Sequence, residues 1–515
     1  MLFNSAEYLF LFLPLVFVIF VFLSRGSSTK GQIIWLILAS LYFYGSWNPI
    51  YLLLIVSSIV VNFTIGRKLA ATLNRERHYW LVLGVLFNLG LLVYFKYAGF
   101  FVNSLNDLGN WLIPVPEITL PLAISFFTFQ QIAYLVDVSR DECQEYQFRH
   151  YALFVLFFPQ LIAGPIVHHK EMMPQFSFLR PASELRTDIG VGLTLLIIGL
   201  FKKVVMADSI GAMVDPVFEA SAQGQTLHTI DAWVATVGFS FQMYFDFSGY
   251  SDIAIGSARL FGIKLPENFR SPYKSRSAID IWNRWHITLS RFLKDYLYIV
   301  LGGNRKGAIN RYRNLFLTML LGGLWHGAAW TYVLWGGLHG LFLCINHGWR
   351  AIQQKLGLEN LSSNRFVDAI YLLLTFLAWS VALVMFRSAD AGTAISITGS
   401  AFVHFNTAPD LVLTTALTES LPQQLMLLAG MEANVYSAVY IVFSVAAIIC
   451  WLLPSSQEFM YRYDPVILSP GSKAAVTAPW ISWRPNLAFA LGFGVILSVS
   501  LLSVSSITEF LYFQF

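Results

Sequence analysis

The sequence predicts an all-α, polytopic membrane protein. Three observations carry that expectation. Hydrophobic residues make up 56% of the chain and charged residues 12%, where a soluble domain carries about 25% charge. The mean hydropathy is +0.61. Apolar runs of the ~17–25 residues needed to cross a bilayer recur along the whole length. One membrane domain over residues 1–515 is expected, with no soluble domain large enough for its own core. The formal net charge of +4 is small and gives no reason to expect a nucleic-acid partner.

The chain opens MLFNSAEYLFLFLPLVFVIFVFLSRG. It has no basic region ahead of the apolar run and no small-x-small cleavage site, so it reads as a retained first span from about Tyr8. Further spans are expected to begin near Gln32, Ile50, Tyr79, Leu120, Gly190, Thr229, Asn314, Trp330, Phe366, Val435 and Leu487. The run from Tyr151 to Ile166 contains FFPQLIAGP. Its Gly164-Pro165 pair predicts a broken or re-entrant helix, which is tolerated only where protein or a cavity surrounds it. Ser388–Asn434 reads as an outer loop with a short amphipathic piece, and Leu453–Arg484 as an inner loop. The terminal YFQF is expected outside.

Lys and Arg in short loops set orientation. Arg25 and Lys30, then Arg67, Lys68, Arg75 and Arg77, alternate with an uncharged turn at Ser46-Trp47-Asn48-Pro49. This puts the N-terminus outside and the basic loops in the cytoplasm. Lys202 and Lys203 break the alternation, as snorkelling side chains or as an outward-facing functional patch. Cys143, Cys344 and Cys450 are far apart, which predicts neither a disulfide framework nor a thiolate metal site. They read as small packing residues.

Residues 262–313 form a basic cytoplasmic or interfacial segment, opposed only by Glu267, Asp280 and Asp295. The plain reading is contact with anionic lipid. The sharper one is a seat for an anionic substrate, and Arg284, Arg291 and Lys294 suit it because Trp282, Trp285 and Phe292 interleave them. Ile279–Leu297 has helical periodicity, with Trp282, Trp285, Leu289 and Phe292 on an apolar stripe. Such a helix is expected at the membrane interface, with His286 at its border.

Residues 314–348 form a membrane segment carrying His326. Counted from Asn314 at 1.5 Å per residue, His326 lies ~18 Å in, near the middle of a ~30 Å core. Gly322, Gly323 and Gly327 leave room around it. A neutral imidazole there suits general-base work. A histidine hydrogen-bonded between packed helices is the other reading, and on the residues alone both stay open. Asp246 and Asp252, near the inner end of a span, are expected to pair with Arg or Lys of the following segment. His150, His168, His169, His339 and His347 lack metal-ligand spacing, so no metal is expected. No nucleophile elbow, phosphate loop or dinucleotide fingerprint occurs.

Taken together, FFPQLIAGPI, FQMYFDFSGYSDIAIGSARLFGIKLPENF, SPY, WNRWHITLSRFLKDYLYIVLGGNR and LGGLWHGAAWTYVLWGGLHG resemble the bacterial membrane-bound O-acyltransferases. Most narrowly they are similar to the branch typified by alginate O-acetyltransferase membrane subunits. The resemblance covers nearly the whole chain. It implies roughly 10–13 membrane helices, re-entrant pieces included, around a central tunnel. It implies that His326, in the WHG motif, is catalytic, with His286, in the RWH motif, as second characteristic position. The donor implied is acetyl-CoA, bound as a substrate and not as a resident cofactor. Arg284, Arg291, Lys294, Trp285 and Asn304 are the residues expected to bind it. The implied setting is the bacterial inner membrane, with a periplasmic SGNH-type acetyltransferase or the polysaccharide itself as acceptor. Peptidoglycan and cellulose are alternative polymers. A transporter or a non-enzymatic anchor of an export complex are the rival classes. His168-His169-Lys170 departs from the arginine that relatives often carry after AGPIV.

Overall fold

Backbone groups in an apolar medium must pair internally, and this chain pairs them in helices. The computed structural model describes all residues except 27–28, 73, 144–146, 163, 182–183, 359–363, 404–411, 413–434, 469–478, 505–509 and 512–515. Among the described residues there is no strand, and one isolated parallel bridge joins Pro266 and Ile467. Among the described residues, four helical stretches are long and apolar enough to cross a membrane: Tyr51–Ala71, Arg75–Gly109, Arg186–Ala222 and Arg365–Arg387. Glu7–Leu23, Ser437–Trp451 and Leu487–Leu502 are shorter apolar helices. The all-α polytopic expectation holds.

The chain divides into two compact units. The first comprises Met1–Ile197, Tyr250–Glu267 and Met460–Val476. It contains α1 (Leu13–Leu23), α2 (Lys30–Gly45), α3 (Tyr51–Ala71), α4 (Asn74–Leu92), α5 (Ala98–Gly109), α6 (Ile124–Ser139), α7 (Phe148–Leu156), α8 (Phe158–Leu161) and α9 (His169–Ser177). An aromatic cluster holds its start, with Phe3 and Phe12 on Phe43 and Phe12 edge-on to Phe158 at 5.1 Å. The expected break in the Tyr151–Ile166 run is present. It falls at Phe157, between α7 and α8, ahead of Gly164-Pro165. Side chains take up the backbone groups this frees: Phe158 N–H donates to Ser40 Oγ at 3.0 Å, and Gln160 donates to the Phe154 carbonyl at 2.6 Å. His169 meets Asp137 at 2.9 Å and Lys170 pairs with Glu142, so the residues after AGPIV are tied into this unit.

The second unit comprises Ile198–Gly249, Asn268–Phe459 and Thr477–Phe515. Residues of α10 (Arg186–Leu200) and α12 (Thr229–Leu260) belong to both units. The second unit adds α11 (Asp208–Ala222), α13 (Ala278–Trp282), α14 (Ile287–Leu293), α15 (Ala308–His326), α16 (Trp330–Lys355), α17 (Arg365–Arg387), α18 (Ala391–Phe402), α19 (Val435–Trp451), α20 (Ser456–Phe459) and α21 (Leu487–Leu502).

Lys202 and Lys203 are neither snorkelling nor facing outward. Both are buried in a π-helical turn, Phe201–Ala207. Lys203 bridges Asp208 at 2.8 Å and Asp246 at 2.9 Å, and Lys202 donates to Ser456 Oγ at 2.7 Å. Asp246 thus finds its cation on a preceding element and not in the following segment, and it also accepts from the Leu511 N–H at 3.1 Å. Burying a charge is costly unless it is paired and hydrogen-bonded, and this cluster meets both conditions.

Ile279–Leu297 is not one helix. It is α13, a turn at Asn283–His286, α14, and a π turn over Lys294–Tyr298. His286 adopts a left-handed conformation, φ 43° and ψ 51°, which stops the first helix and starts the second. Its tryptophans are not interfacial either: Trp282 and Trp285 are buried, because partners from α16 and α17 cover them. Of Ser388–Asn434, α18 is described, capped by Asp390 accepting from Thr393 N–H at 2.8 Å. Residues 404–411 and 413–434, part of the Leu453–Arg484 loop (469–478) and the terminal YFQF lie outside the described residues.

Candidate active site

The helical hairpin of α15 and α16 builds the centre of the site. Two glycines let its backbones touch. A Cβ on Gly336 would press on the Met319 carbonyl and lie 3.1 Å from Gly323 Cα, and one on Gly323 would lie 3.0 Å from Gly336 Cα. Small residues at such crossings are the usual way membrane helices approach closely. The helix expected from Asn314 begins instead at Ala308, after Gly307, and His326 is its last residue. His326 therefore sits at the tip of α15, where the chain turns through Gly327-Ala328-Ala329 into α16. Gly327 permits this turn because a side chain there would collide with the Tyr332 ring.

His326 is buried among aromatic rings. Trp325 and Trp335 lie 5.0 Å away, centroid to centroid, and Phe386 of α17 lies 5.4 Å away. His286 reaches the same cluster from the turn between α13 and α14. Its ring lies 6.4 Å from Trp325 and 4.8 Å, edge-on, from Phe247. Both sequence-predicted histidines thus contact one indole, Trp325.

Asn268 fixes the orientation of His286. Its Oδ1 lies 3.1 Å from His286 Nδ1 and also accepts from Thr288 Oγ1 at 2.8 Å, while its carbonyl accepts from Ile287 N–H at 2.9 Å. An acceptor at Nδ1 puts the proton there and leaves a lone pair on Nε2. That Nε2 is buried and has no hydrogen-bond partner among the described residues. The left-handed backbone at His286 costs ~1–2 kcal/mol for a residue with a Cβ, and the Asn268 bonds hold it.

The expected donor residues separate into two groups. Trp285 lies in the aromatic cluster, 5.1 Å from Phe269 and 5.2 Å from Trp379. Arg284 is half-buried, pairs with Asp280 at 2.9 Å, and accepts from Arg270 N–H at its carbonyl. Arg291 is half-buried on α14, but Lys294 and Asn304 are exposed on the following turns.

A cavity of about 680 Å³ opens beside this cluster, between α13, α16 and α17. Arg276, Asp280, Asn283 and Arg350 line it, together with His339 and Trp379. Sequence reasoning missed His339, passing over it for want of metal-ligand spacing. A signal was present: Gly336-Gly337-Leu338-His339-Gly340 repeats Gly322-Gly323-Leu324-Trp325-His326-Gly327 with one residue removed. The repeat places two histidines on the two arms of the hairpin with Trp335 touching both, 5.0 Å from His326 and 4.6 Å from His339.

Comparison with known proteins identifies the family. Residues 137–388 match the model of the membrane-bound O-acyltransferase family. The chain is 43% identical to a peptidoglycan O-acetyltransferase of Helicobacter pylori, over 77% of this chain and 79% of that protein. It is 38% identical, over the full length of both, to a protein of Azotobacter vinelandii named "Probable alginate O-acetylase AlgI". A teichoic acid D-alanyltransferase of Streptococcus thermophilus is 30% identical over 50% of this chain and 65% of its own. The segment that carries the family match contains His286, Trp325 and His326, and with relatives of this identity and coverage the chain belongs to the membrane-bound O-acyltransferase family and is an acyltransferase.

Proposed function

We propose that the protein transfers an acetyl group from cytosolic acetyl-CoA, through the bacterial inner membrane, to O-acetylate a cell-surface or secreted polysaccharide of alginate type. A periplasmic SGNH-type transferase is the proposed immediate recipient. The observation that carries this reading is the packing of His286 and His326 against one buried indole, Trp325. It supplies two imidazoles in an enclosed, apolar setting.

In this reaction the acceptor hydroxyl gives its proton to His326 and its oxygen bonds to the acetyl carbonyl carbon. The carbon–sulfur bond breaks, and the departing thiolate takes the proton back from His326. His286, held by Asn268, orients the donor carbonyl or the acceptor. Arg284, Arg291, Lys294, Trp285 and Asn304 form the donor side, where the basic segment attracts the anionic carrier.

The H. pylori relative supports peptidoglycan as a second acceptor. Mass analysis of polymers from cells with and without the gene distinguishes the two. The decisive test uses purified protein in lipid nanodiscs with labelled acetyl-CoA. Loss of a general base costs about 10²–10⁴-fold in rate, so His326→Ala should lose transfer to that extent with an unchanged melting temperature. Near-normal transfer would end the catalytic assignment. Lost transfer with a collapsed melting temperature would make His326 a packing residue, and a transporter or an anchor would show no transfer in the wild type.

A further inference from the structure

We propose that the base of the α15–α16 hairpin, at the end away from His326, is a site for an anionic phospholipid. Cations of the 299–307 turn and of the first turns of α15 hold the lipid phosphate, and exposed apolar side chains beside them take its hydrocarbon. The proposal is independent of the donor and acceptor proposed above.

Charge points to the class of ligand. From Tyr296 to Leu358 the chain has no Asp or Glu, while Arg305, Lys306, Arg311, Arg313, Arg350 and Lys355 are all cations. They gather at one end of the hairpin: in the turn before α15, in its first turns, and in the last turns of α16. Arg305, Lys306 and Arg313 are exposed and make no ion pair among the described residues. Such a surplus at a membrane surface attracts anionic headgroups.

The turn that carries these cations has a fixed shape. Gly302 and Gly303 adopt positive φ, 107° and 56°, which glycine does without strain. Gly303 N–H donates to the Tyr298 carbonyl at 2.9 Å, and the Gly303 carbonyl accepts from Asn314 Nδ2 at 2.9 Å. Asn314 Oδ1 in turn accepts from Arg313 Nε at 3.3 Å and from Arg313 Nη2 at 3.1 Å. One edge of the Arg313 fork is thus engaged by Asn314, which orients the guanidinium and leaves its Nη1 edge for the oxygens of a phosphate. Lys306 is tied to the same helix, its carbonyl accepting from Asn310 Nδ2 at 2.7 Å.

Apolar exposure favours a lipid over an acidic protein or a soluble anion. Ile309 is 84% exposed and Val300 65%, and Ile299 and Phe316 are exposed as well. Ile309, Arg313 and Phe316 follow one another at i, i+4 and i+7 of α15, so a cation stands between two apolar side chains on one face. A soluble anion would answer the cations and leave those side chains bare. A phospholipid answers both, with its phosphate at the cations and its chains against the apolar side chains. Because α15 carries His326 at its other end, a lipid seated here braces the helix that positions the proposed base.

The test uses the full chain purified in a neutral detergent and titrated with phosphatidylglycerol or phosphatidylcholine while its melting temperature is followed. Phosphatidylglycerol should raise the melting temperature saturably and phosphatidylcholine should not; equal effects of the two would overturn the proposal. Each cation near an anionic lipid surface corresponds to about fivefold in affinity. Replacing Arg305, Lys306 and Arg313 together by Gln should therefore move the midpoint to roughly hundredfold more phosphatidylglycerol. Arg67→Gln with Lys68→Gln, exposed on α3, should leave it in place, and an equal shift there would mean diffuse charge attraction and no site. Should the triple variant fail to fold, Arg305→Gln with Lys306→Gln is expected to shift the midpoint about 25-fold, and an unshifted midpoint would overturn the proposal. Glycerol 3-phosphate reproducing the whole effect would make the ligand a soluble phosphate, and displacement of phosphatidylglycerol by acetyl-CoA would give these cations to the donor; either result overturns the lipid site.

Discussion

At the scale of single residues, two histidines are legible in the sequence and their supports are not. The WHG and RWH motifs single out His326 and His286. Asn268, which orients His286, lies 18 residues away in sequence, in the stretch that ends LPENF, and nothing in that stretch says which side chain it holds. The backbone at His286 yields a prediction. Asn tolerates the left-handed region and Ala does not, so His286→Asn should melt higher than His286→Ala by an amount equivalent to ~1 kcal/mol. Thermal unfolding of the two purified variants checks this; equal stabilities would mean that the turn is held by other contacts. The lysine pair teaches a different lesson. Loop counting makes Lys202 and Lys203 exceptions to a charge rule because it cannot see that both are buried, Lys203 between Asp208 and Asp246 and Lys202 on Ser456. Lys203→Met leaves Asp246 buried opposite no cation and should cost about 3–5 kcal/mol. Adding Asp246→Asn should restore much of that, and a double variant no better than the single one would show that the ion pair is not the source of the loss.

At the scale of elements, periodicity finds the helices and misjudges where they stop. Ile279–Leu297 keeps a helical repeat of apolar residues across a break, because residues on both sides of the His286 turn, Trp282 and Trp285 before it and Leu289 and Phe292 after it, are buried. Burial alone thus mimics one continuous helix. The same limit applies to α15. Its apolar half marks a membrane segment, yet nothing in hydropathy says that the helix ends at His326 and turns back. The glycines carry that information. Gly336→Ala should force α15 and α16 apart and cost ~1–3 kcal/mol, whereas Gly337→Ala, whose Cβ would meet only side-chain atoms at ordinary contact distance, should be tolerated. Melting temperature and acyl transfer measured side by side test this contrast, and equal effects at both positions would remove the close-packed hairpin as the cause.

At the scale of the whole molecule, composition suffices for the class, and the family follows from several long motifs in one order. The count of spans is harder to read, since helices such as α12 and α16 carry polar residues that serve the interior and lower their hydropathy. Orientation rests on the alternation of Arg and Lys in the loops, and it predicts that Asn304 faces the cytosol. Asn304 is exposed, so Asn304→Cys should resist an impermeant thiol reagent added to intact cells and react once the cells are opened. Labelling in intact cells would reverse the topology and with it the case for a cytosolic donor.

The bond between Asp246 and Leu511 has a consequence for how the protein is made. The partners stand 265 residues apart. A ribosome adding ~5–20 residues per second needs about 13–53 s to cover that interval. Throughout it Asp246 can hold Lys203, which has already emerged, but not the N–H of Leu511. The hydrogen bond from Leu511 to this buried carboxylate therefore cannot form until Leu511 has left the ribosome. A nascent chain stalled before residue 511 should remain open there, in reach of the membrane insertion machinery and of quality-control proteases.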